Sequence, residues 1–444
     1  MSVKRGIHRA YLAARHSDVL RLLPELERSE WLSSDETRAR QWKRLLSLLE
    51  HAGSGVPFYR ELFGREKFDP AALREPSDLS ALPVLTKDLI RERGKELLSA
   101  DAASRGAVVN ATGGSTGEPL TFFQDRVYRL HRQAVMYRGF RWCGWTLGGP
   151  LAYLWGSDVD SRSHRGLGAL RDALLGITWI DAFTLDDGAI DRILSRLDSA
   201  RPDILIGYAS SVRHLARRAL ATGGGPRLRS VETSAELLTA DARRDIERAF
   251  SCQVLDRYGC REAGVISHEC GAGRGWHINT ETVWLETDAD GHLLVTTLQN
   301  YSMPLIRYRN DDLAELGSEL CPCGRGLPLM TRVVGRRSDI IRSPSGKAIH
   351  GEFFTHLFYG APGVKEFQVV QKRSDDLLIR VVAGPEFDAG QRRRIESTIR
   401  EHGDAAFGVR WETMPEIPRG PSGKHRFTIS EVEEKSAIGA GAPE

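Results

Sequence analysis

Trp42, Leu45, Leu46 and Leu49 recur at i, i+3, i+4 and i+7. That spacing gathers apolar side chains on one helix face, and Ser33 and Ser34 stand ahead of it as capping candidates. A Pro-rich connection ending in LPVLTK (82–87) leads to a Gly/Ser/Thr run and then to LTFF (120–123), apolar and strand-like. From about residue 150 the pattern alternates. Ile190, Ile193, Leu194 and Leu197 make a helical stripe, DILIGY (203–208) reads as a buried strand, and SVRHLARRAL reads as a helix. A helix over 240–250, carried by Ala242, Ile246, Ala249 and Phe250, precedes the strand-like QVLDRYG. Strands alternating with helices predict an α/β fold with parallel sheets. After about residue 281 the chain turns β-rich, with HLLVTTL (292–298) and PLIRYR (304–309) as strands. Charges, Gly and Pro crowd residues 334–347, and beyond them FQVVQ, LLIRVVA, a helix over 389–402 and GVRWET form a small β-β-α-β unit. The expected organisation is a large N-terminal domain over 1–337 and a small, mobile C-terminal α+β domain over 338–432. Residues 433–444 are small and polar and are expected to be a disordered tail.

The 444 residues carry 62 Lys and Arg against 59 Asp and Glu, a net charge of +3. That surplus is too small to indicate a nucleic-acid partner, and the arginines are interleaved with acids as on a solvated helix face. The hydrophobic fraction of 41% and the charged fraction of 27% exclude wholesale disorder. No apolar run approaches a membrane span, and the first residues lack the apolar core of a secretion signal, so a cytoplasmic protein is expected. The six cysteines then read as thiols or metal ligands, not disulfides.

Four segments carry candidate chemistry. In Thr112–Pro119, Gly114 and Gly117 flank Ser115 and Thr116. Glycines let backbone N–H groups turn toward an anion and the hydroxyls add donors, yet the same composition suits a flexible surface loop. Glu262 follows a predicted strand, where a carboxylate can hold magnesium or simply face solvent. Asp311 and Asp312 follow IRYRN and can accept from ribose hydroxyls or cap a turn. Lys424 lies on the glycine loop Gly420–Arg426, either a surface charge or a lysine carried into another domain's site. Separately, Cys270, Cys321 and Cys323 with a histidine have the makings of a tetrahedral zinc site. His277 and His268 compete for the nitrogen position, and ordinary reduced thiols are the alternative.

Taken in order, these segments resemble an adenylate-forming ligase of the phenylacetate–coenzyme A ligase type, closest to its capsular-polysaccharide relatives. TGGSTGEPLTFF resembles the family's phosphate loop, ETSAELLT (232–239) its adenine loop, and YGCRE (258–262) its Tyr-Gly-x-x-Glu motif. MPLIRYRNDDL (303–313) resembles the ribose-binding segment, GRRSD (335–339) the interdomain hinge and SGKHR (422–426) the catalytic lysine loop. The likeness spans roughly residues 40–430.

The resemblance implies roles. Gly114, Ser115, Thr116 and Gly117 would hold ATP phosphates; Ser234, Ala235, Glu236 and Tyr258 would frame the adenine; Glu262 would bind Mg2+; Asp312 and Arg336 would hold the ribose. Lys424 would be catalytic, and Cys270, His277, Cys321 and Cys323 would bind structural Zn2+. The implied partners are a small carboxylic acid and coenzyme A, or an amine or hydroxyl acceptor in polysaccharide or natural-product assembly. Asn310-Asp311 stand where relatives have Thr-Gly, Glu118 where many have Lys, and Ser338 at the usual acidic hinge position. Two rivals are a zinc-ribbon binding protein and a ligase scaffold that binds nucleotide without turnover. Phe122, Phe123, Tyr137, Trp142, Trp145 and Trp155 are candidate lining residues for the acid, though aromatic-rich stretches more often build core.

Overall fold

The computed structural model describes residues 3–15, 17–111, 120–155, 164, 166–181, 187–336, 340–345, 348–350, 353–354, 357–358, 361–418 and 426–432. Met1–Val334 form the body of one compact unit, and a second begins at Gly335, just ahead of the boundary expected after 337.

In the first unit the predicted N-terminal helix runs Ser34–Gly55. Ser33 caps it: its hydroxyl accepts from the Glu36 N–H, and the Glu36 carboxylate accepts from the Ser33 N–H. This reciprocal pair satisfies two N–H groups the helix leaves orphaned. Leu45, Leu48, Leu49 and Ala52 form its buried face. They share a core with Phe58, Tyr59 and Leu62 and with Leu298, Met303 and Ile306 of the β-rich part. The N-terminal helices are therefore packed onto residues some 250 positions downstream.

An eleven-stranded sheet organises the unit. Five strands are parallel neighbours, in the order Ile177–Asp181, Leu151–Trp155, Ile204–Tyr208, Ser230–Ser234 and Gln253–Cys260. Helices Asp187–Ala200, Ala209–Ala221 and Ala240–Phe250 connect them and bury one face, as the alternating pattern requires. The sheet then turns antiparallel through Gly264–Glu269 and Trp276–Ile278 and continues into Leu329–Arg336, Tyr308–Leu316, His292–Thr297 and Val283–Thr287. The β-rich part thus extends the α/β sheet. Within it, the strand expected from Pro304 begins only at Tyr308. Pro304 has no N–H for a ladder, and Arg307 takes φ 52°.

The second unit has a four-stranded sheet, ordered Gly408–Thr413, Asp376–Ala383, Val364–Arg373 and Thr428–Ser430. Its middle pair is antiparallel and each outer strand joins in parallel. The helix Ala389–Thr398 ends in a wider π turn, Ile399–Gly403, which together cover the stretch expected as one helix. Among the described residues, no helix is long and apolar enough to cross a membrane.

The first unit has an ionic hub at Arg138, which is 0% exposed on the helix Arg126–Trp142. Its guanidinium donates to both Glu281 oxygens at 2.8 and 3.0 Å and to Asn279 Oδ1 at 2.8 Å. It also donates to the Leu26 carbonyl at 3.3 Å, and Ser29 adds a hydroxyl to Glu281 at 2.9 Å. Burial alone would raise the Glu281 pKa, but the Arg138 charge and these donors hold it below the usual carboxylate range. Removing one member leaves the other buried without a counter-charge, a loss of about 3–5 kcal/mol. Arg138→Met is expected to lower the midpoint of chemical denaturation of this unit accordingly, followed by tryptophan fluorescence. An unchanged midpoint would mean that Glu281 finds other partners.

Candidate active site and metal cluster

The strands Ser230–Ser234 and Gln253–Cys260 end side by side, and the turns that follow them carry the adenine-loop and Tyr-Gly-x-x-Glu motifs. In a parallel sheet the carboxyl ends of strands are where ligand-contacting loops gather. Ala235 leaves its strand at φ 70°, a left-handed conformation uncommon for a residue with a Cβ. The next residue secures it: Glu236 Oε2 accepts from the Ser210 N–H at 2.8 Å, in the first turn of the helix Ala209–Ala221. The Glu236 carboxylate therefore braces the loop against a helix N-terminus, a favourable place for negative charge. Ser234 Oγ accepts from Arg257 Nε at 3.4 Å.

Tyr258, Asp312 and Glu262 are brought together across more than fifty residues of sequence. Tyr258 donates its hydroxyl to Asp312 Oδ2 at 2.5 Å. Asn310 Nδ2 donates to the Tyr258 oxygen at 2.7 Å and to Asp312 Oδ2 at 3.3 Å. Glu262, 5% exposed, accepts from the Tyr308 hydroxyl at 2.7 Å through Oε1. Burial first, and then the neighbouring carboxylate, pushes both tyrosine pKa values far up, so both remain phenol donors. The carboxylates of Glu262 and Asp312 are thus oriented by neutral phenol donors.

Asp311 takes φ 69°. Glycine, which relatives carry there by the resemblance, adopts that conformation without strain. Here Lys87 holds the turn, its Nζ 2.5 Å from Asp311 Oδ2 and 3.5 Å from the Asn310 carbonyl. Tyr308, Asn310 and Lys87 were not among the expected site residues. The sequence signal for Lys87 was its place at the end of LPVLTK; a tyrosine in a strand gave none.

Gly114, Ser115, Thr116, Gly117 and Lys424 lie outside the described residues, as do Glu118, Ser338 and the tail 433–444. Arg336 is the last residue of the strand Leu329–Arg336 and falls in the second unit. Among the aromatic candidates, Phe122, Tyr137 and Trp145 are buried, and Trp155 packs on Tyr208 with ring centroids 4.5 Å apart. Trp142 donates to Glu30 at 3.1 Å beside the cysteine cluster.

That cluster contains Cys270, His277, Cys321 and Cys323, whose ligating atoms all lie within 4.8 Å of one another. Cys270 and Cys321 sulfurs are 3.7 Å apart, and His277 Nε2 is 3.3 Å from each of Cys270 and Cys323. Ligands at the usual zinc–sulfur and zinc–nitrogen distances stand roughly 3.5–3.8 Å apart around a tetrahedral centre, within about 0.2 Å of these separations. The donor set therefore fits zinc. His277 Nδ1 faces the Leu327 carbonyl at 3.4 Å, which fixes the tautomer and leaves the Nε2 lone pair toward the sulfurs. Burial pulls the His277 pKa down to about 4, so the ring is neutral. His268 points elsewhere, with Nε2 3.3 Å from Glu232 Oε1. The knuckle also grips the N-terminal helices: Arg325 sits 4.8 Å from the Trp31 ring and 4.5 Å from the Trp142 ring and donates to Glu30 at 3.0 Å.

The model of the CapK C-terminal domain family matches residues 341–431. Phenylacetate-coenzyme A ligase of Thermus thermophilus is 29% identical, over 91% of this chain and 98% of its own length. Protein CapK of Staphylococcus aureus is 24% identical, over 85% of each chain. Over most of its length the chain is similar to the phenylacetate–coenzyme A ligases. A solved 2-hydroxyisobutyryl-CoA ligase, in the postadenylation state with its acyl-AMP, shares the fold at TM-score 0.73 and 21% identity, covering 91% of this chain and 92% of that one. Against that fold, the bracing of Asp312 by Tyr258 and Asn310, and of Glu262 by Tyr308, is the local construction this chain uses at its strand ends.

Two residues before Tyr258, on the same face of its strand, Asp256 is buried. It accepts from Thr233 at 2.5 Å and from Trp276 Nε1 at 3.1 Å. Burial, then the charge of Glu269, pushes its pKa up to about 7 against these donors. An acid with a pKa raised by folding costs nothing at low pH, where both states are protonated. Between about pH 4 and 7 the unfolded chain ionises first, so stability falls as pH rises, and above about 7 the loss is complete. About three units cap that loss at roughly 4 kcal/mol. Asp256→Asn is expected to flatten the decline in unfolding midpoint between pH 4 and 7. A variant whose profile still parallels the parent would assign the decline to other groups.

Proposed function

We propose that this chain is an ATP- and magnesium-dependent ligase that converts a carboxylic acid to its adenylate and then transfers the acyl group to coenzyme A. The observation that carries the proposal is the joining of Tyr258, Asn310 and Asp312 with the Tyr308–Glu262 pair at the carboxyl ends of the strands. The motif order and the similarity to phenylacetate-coenzyme A ligases support it. In this reading Ser234–Glu236 and Tyr258 frame the adenine, and Asp312 accepts from the ribose hydroxyls with Arg336. Glu262 would hold Mg2+ through the carboxylate that Tyr308 orients, and the bound cation would supply charge neutralisation for the pyrophosphate oxygens. The 112–119 loop binds the phosphates.

A carboxylate attacking the α-phosphate must approach another anion. Lys424, on the C-terminal domain proposed to span 338–432, supplies positive charge where it grows in the transition state, and withdrawal of that domain admits the thiol. Lys424→Ala is expected to lower acid-dependent ATP–pyrophosphate exchange at least about a hundredfold, with a smaller effect on acyl transfer from a supplied adenylate. Full retention of exchange would remove Lys424 from the chemistry. Incubation with ATP, candidate acids and coenzyme A, followed by mass spectrometry, is expected to yield the acyl-coenzyme A. The CapK relative favours one second reading, an amine or hydroxyl acceptor, which the same experiment would reveal as an adenylate without thioester. A cytoplasmic location goes with this reading, since six free cysteines remain reduced there.

Cys270, His277, Cys321 and Cys323 hold a structural zinc ion in this proposal, four protein ligands leaving no open position for catalysis. Metal analysis is expected to give about one zinc per chain. Cys321→Ser is expected to lose it and to lower the thermal midpoint by on the order of 10 °C. A purified chain free of zinc with an unchanged midpoint would reduce the cluster to buried thiols.

A further inference from the structure

Glu232, Arg257 and His268 lie on three adjacent strands and on one face of the sheet, the face opposite Asp256. Glu232 is 1% exposed and His268 2%, and the Arg257 side chain is 10% exposed. Arg257 Nη1 stands 3.4 Å from Glu232 Oε2, and His268 Nε2 stands 3.3 Å from Oε1. Both are ion-pair distances, but neither contact is aligned as a hydrogen bond. Both Glu232 oxygens and both His268 ring nitrogens lack a hydrogen-bonding partner. The helix above cannot supply one: Gly139 packs its bare Cα against His268, where a Cβ would come within 2.2 Å of Nε2.

A buried carboxylate whose nearest donors stand at ion-pair distance without completing a hydrogen bond is costly, by about 1–3 kcal/mol per unsatisfied group. Buried polar groups left in this state ask for a specific explanation, such as a bound water or a ligand. Two features select a ligand. Arg257 also donates to Ser234, so the cluster abuts the loop assigned to the nucleotide. Glu232 lies two residues before Ser234 on the same strand face, about 7 Å down the strand. The charges of Arg257 and Glu232 already offset each other, so the missing donor is a neutral one. We propose that Glu232, flanked by Arg257 and His268, is the specificity-determining subsite for a hydroxyl group on the acid, so that the substrate is a hydroxylated carboxylic acid. This rests on the ligase reading above and names the substrate class for it.

The test compares matched acids that differ by one hydroxyl, such as hydroxyphenylacetate against phenylacetate and hydroxylated against plain aliphatic acids, in acid-dependent ATP–pyrophosphate exchange. A site built to hydrogen-bond a substrate hydroxyl discriminates strongly against the analogue lacking it. The full-length protein is expected to favour at least one hydroxylated member over its partner by about tenfold or more in kcat/KM. Glu232→Leu and the gentler Glu232→Gln are expected to bring that ratio toward one. The ratio is internal to each preparation, so partial unfolding does not mimic the effect, and the parent protein's ratio decides even where a variant fails to fold. Exchange that is equal for both members of every pair means that water alone fills the site and overturns the inference while the ligase reading stands. A ratio that survives in both variants also overturns it, by moving discrimination elsewhere. If no acid of either kind drives exchange, the ligase reading falls and this inference with it.

Discussion

Ser234 lies opposite Arg257, and Arg257 opposite His268, across three neighbouring strands. A slip of one residue in either pairing would send every side chain to the other face. Thr233 would lose Asp256, Arg257 would turn toward the helix Ala240–Phe250, and Tyr258 would no longer meet Asp312. Helices cover one face of these strands, and the helix Arg126–Trp142 packs on the other. Each register is therefore pinned from both sides by buried groups. The candidate site inherits its geometry from that pinning, since Ser234 and Tyr258 stand in the pinned strands and the loops at Ala235 and Glu262 start where those strands stop.

Those loops hold backbone that is expensive by itself. Ala235, Arg307 and Asp311 all take positive φ. Such conformations cost on the order of 1–3 kcal/mol each for residues with a Cβ, and they persist only where surrounding contacts over-determine them. Each has such contacts. Glu236 ties the Ala235 turn to a helix N-terminus. Arg307 donates to the carbonyls of Ser80 and Leu82 and pairs with Glu286, and Lys87 grips Asp311. The Pro-rich connection before residue 87 is thus part of the mechanical support of the Asn310–Asp312 segment.

Much of the fold was legible because its signals are local. The Ser34–Gly55 helix has its cap and apolar stripe within one stretch of chain, and the parallel strands alternate with amphipathic helices at ordinary spacing. The candidate site was readable as a succession of motifs, including Tyr258, Glu262 and Asp312, and the candidate metal cluster as three cysteines and a choice of histidines. Geometry decided that choice: His277 turns its free nitrogen to the sulfurs, while His268, its cross-strand neighbour, faces Glu232. The hidden part consists of side-chain contacts between distant segments. Nothing in the spacing of Tyr308 and Glu262, Lys87 and Asp311, or Arg138 and Glu281 announces a partner, because each depends on how strands far apart in sequence fold over one another.

The two faces of the central strands differ in a way that bears on where a ligand belongs. On one face, Asp256 receives two side-chain donors, and Glu269 accepts from Arg243 and from the Asp256 N–H. Its carboxylates are both hydrogen-bonded, leaving the Ser267 hydroxyl as the unpaired group, and it is sealed by a helix that supplies the arginine. On the other face, Arg257 donates to Ser234 while four atoms of Glu232 and His268 are left without a hydrogen bond, held only at ion-pair distance. If both faces were merely structural, the second would carry a desolvation cost that a pair of apolar side chains avoids, since replacing both partners of a buried polar contact is often close to neutral. A cost concentrated on a buried carboxylate and imidazole, on the face that meets the Ser234–Glu236 loop, is what a binding surface looks like before its ligand arrives.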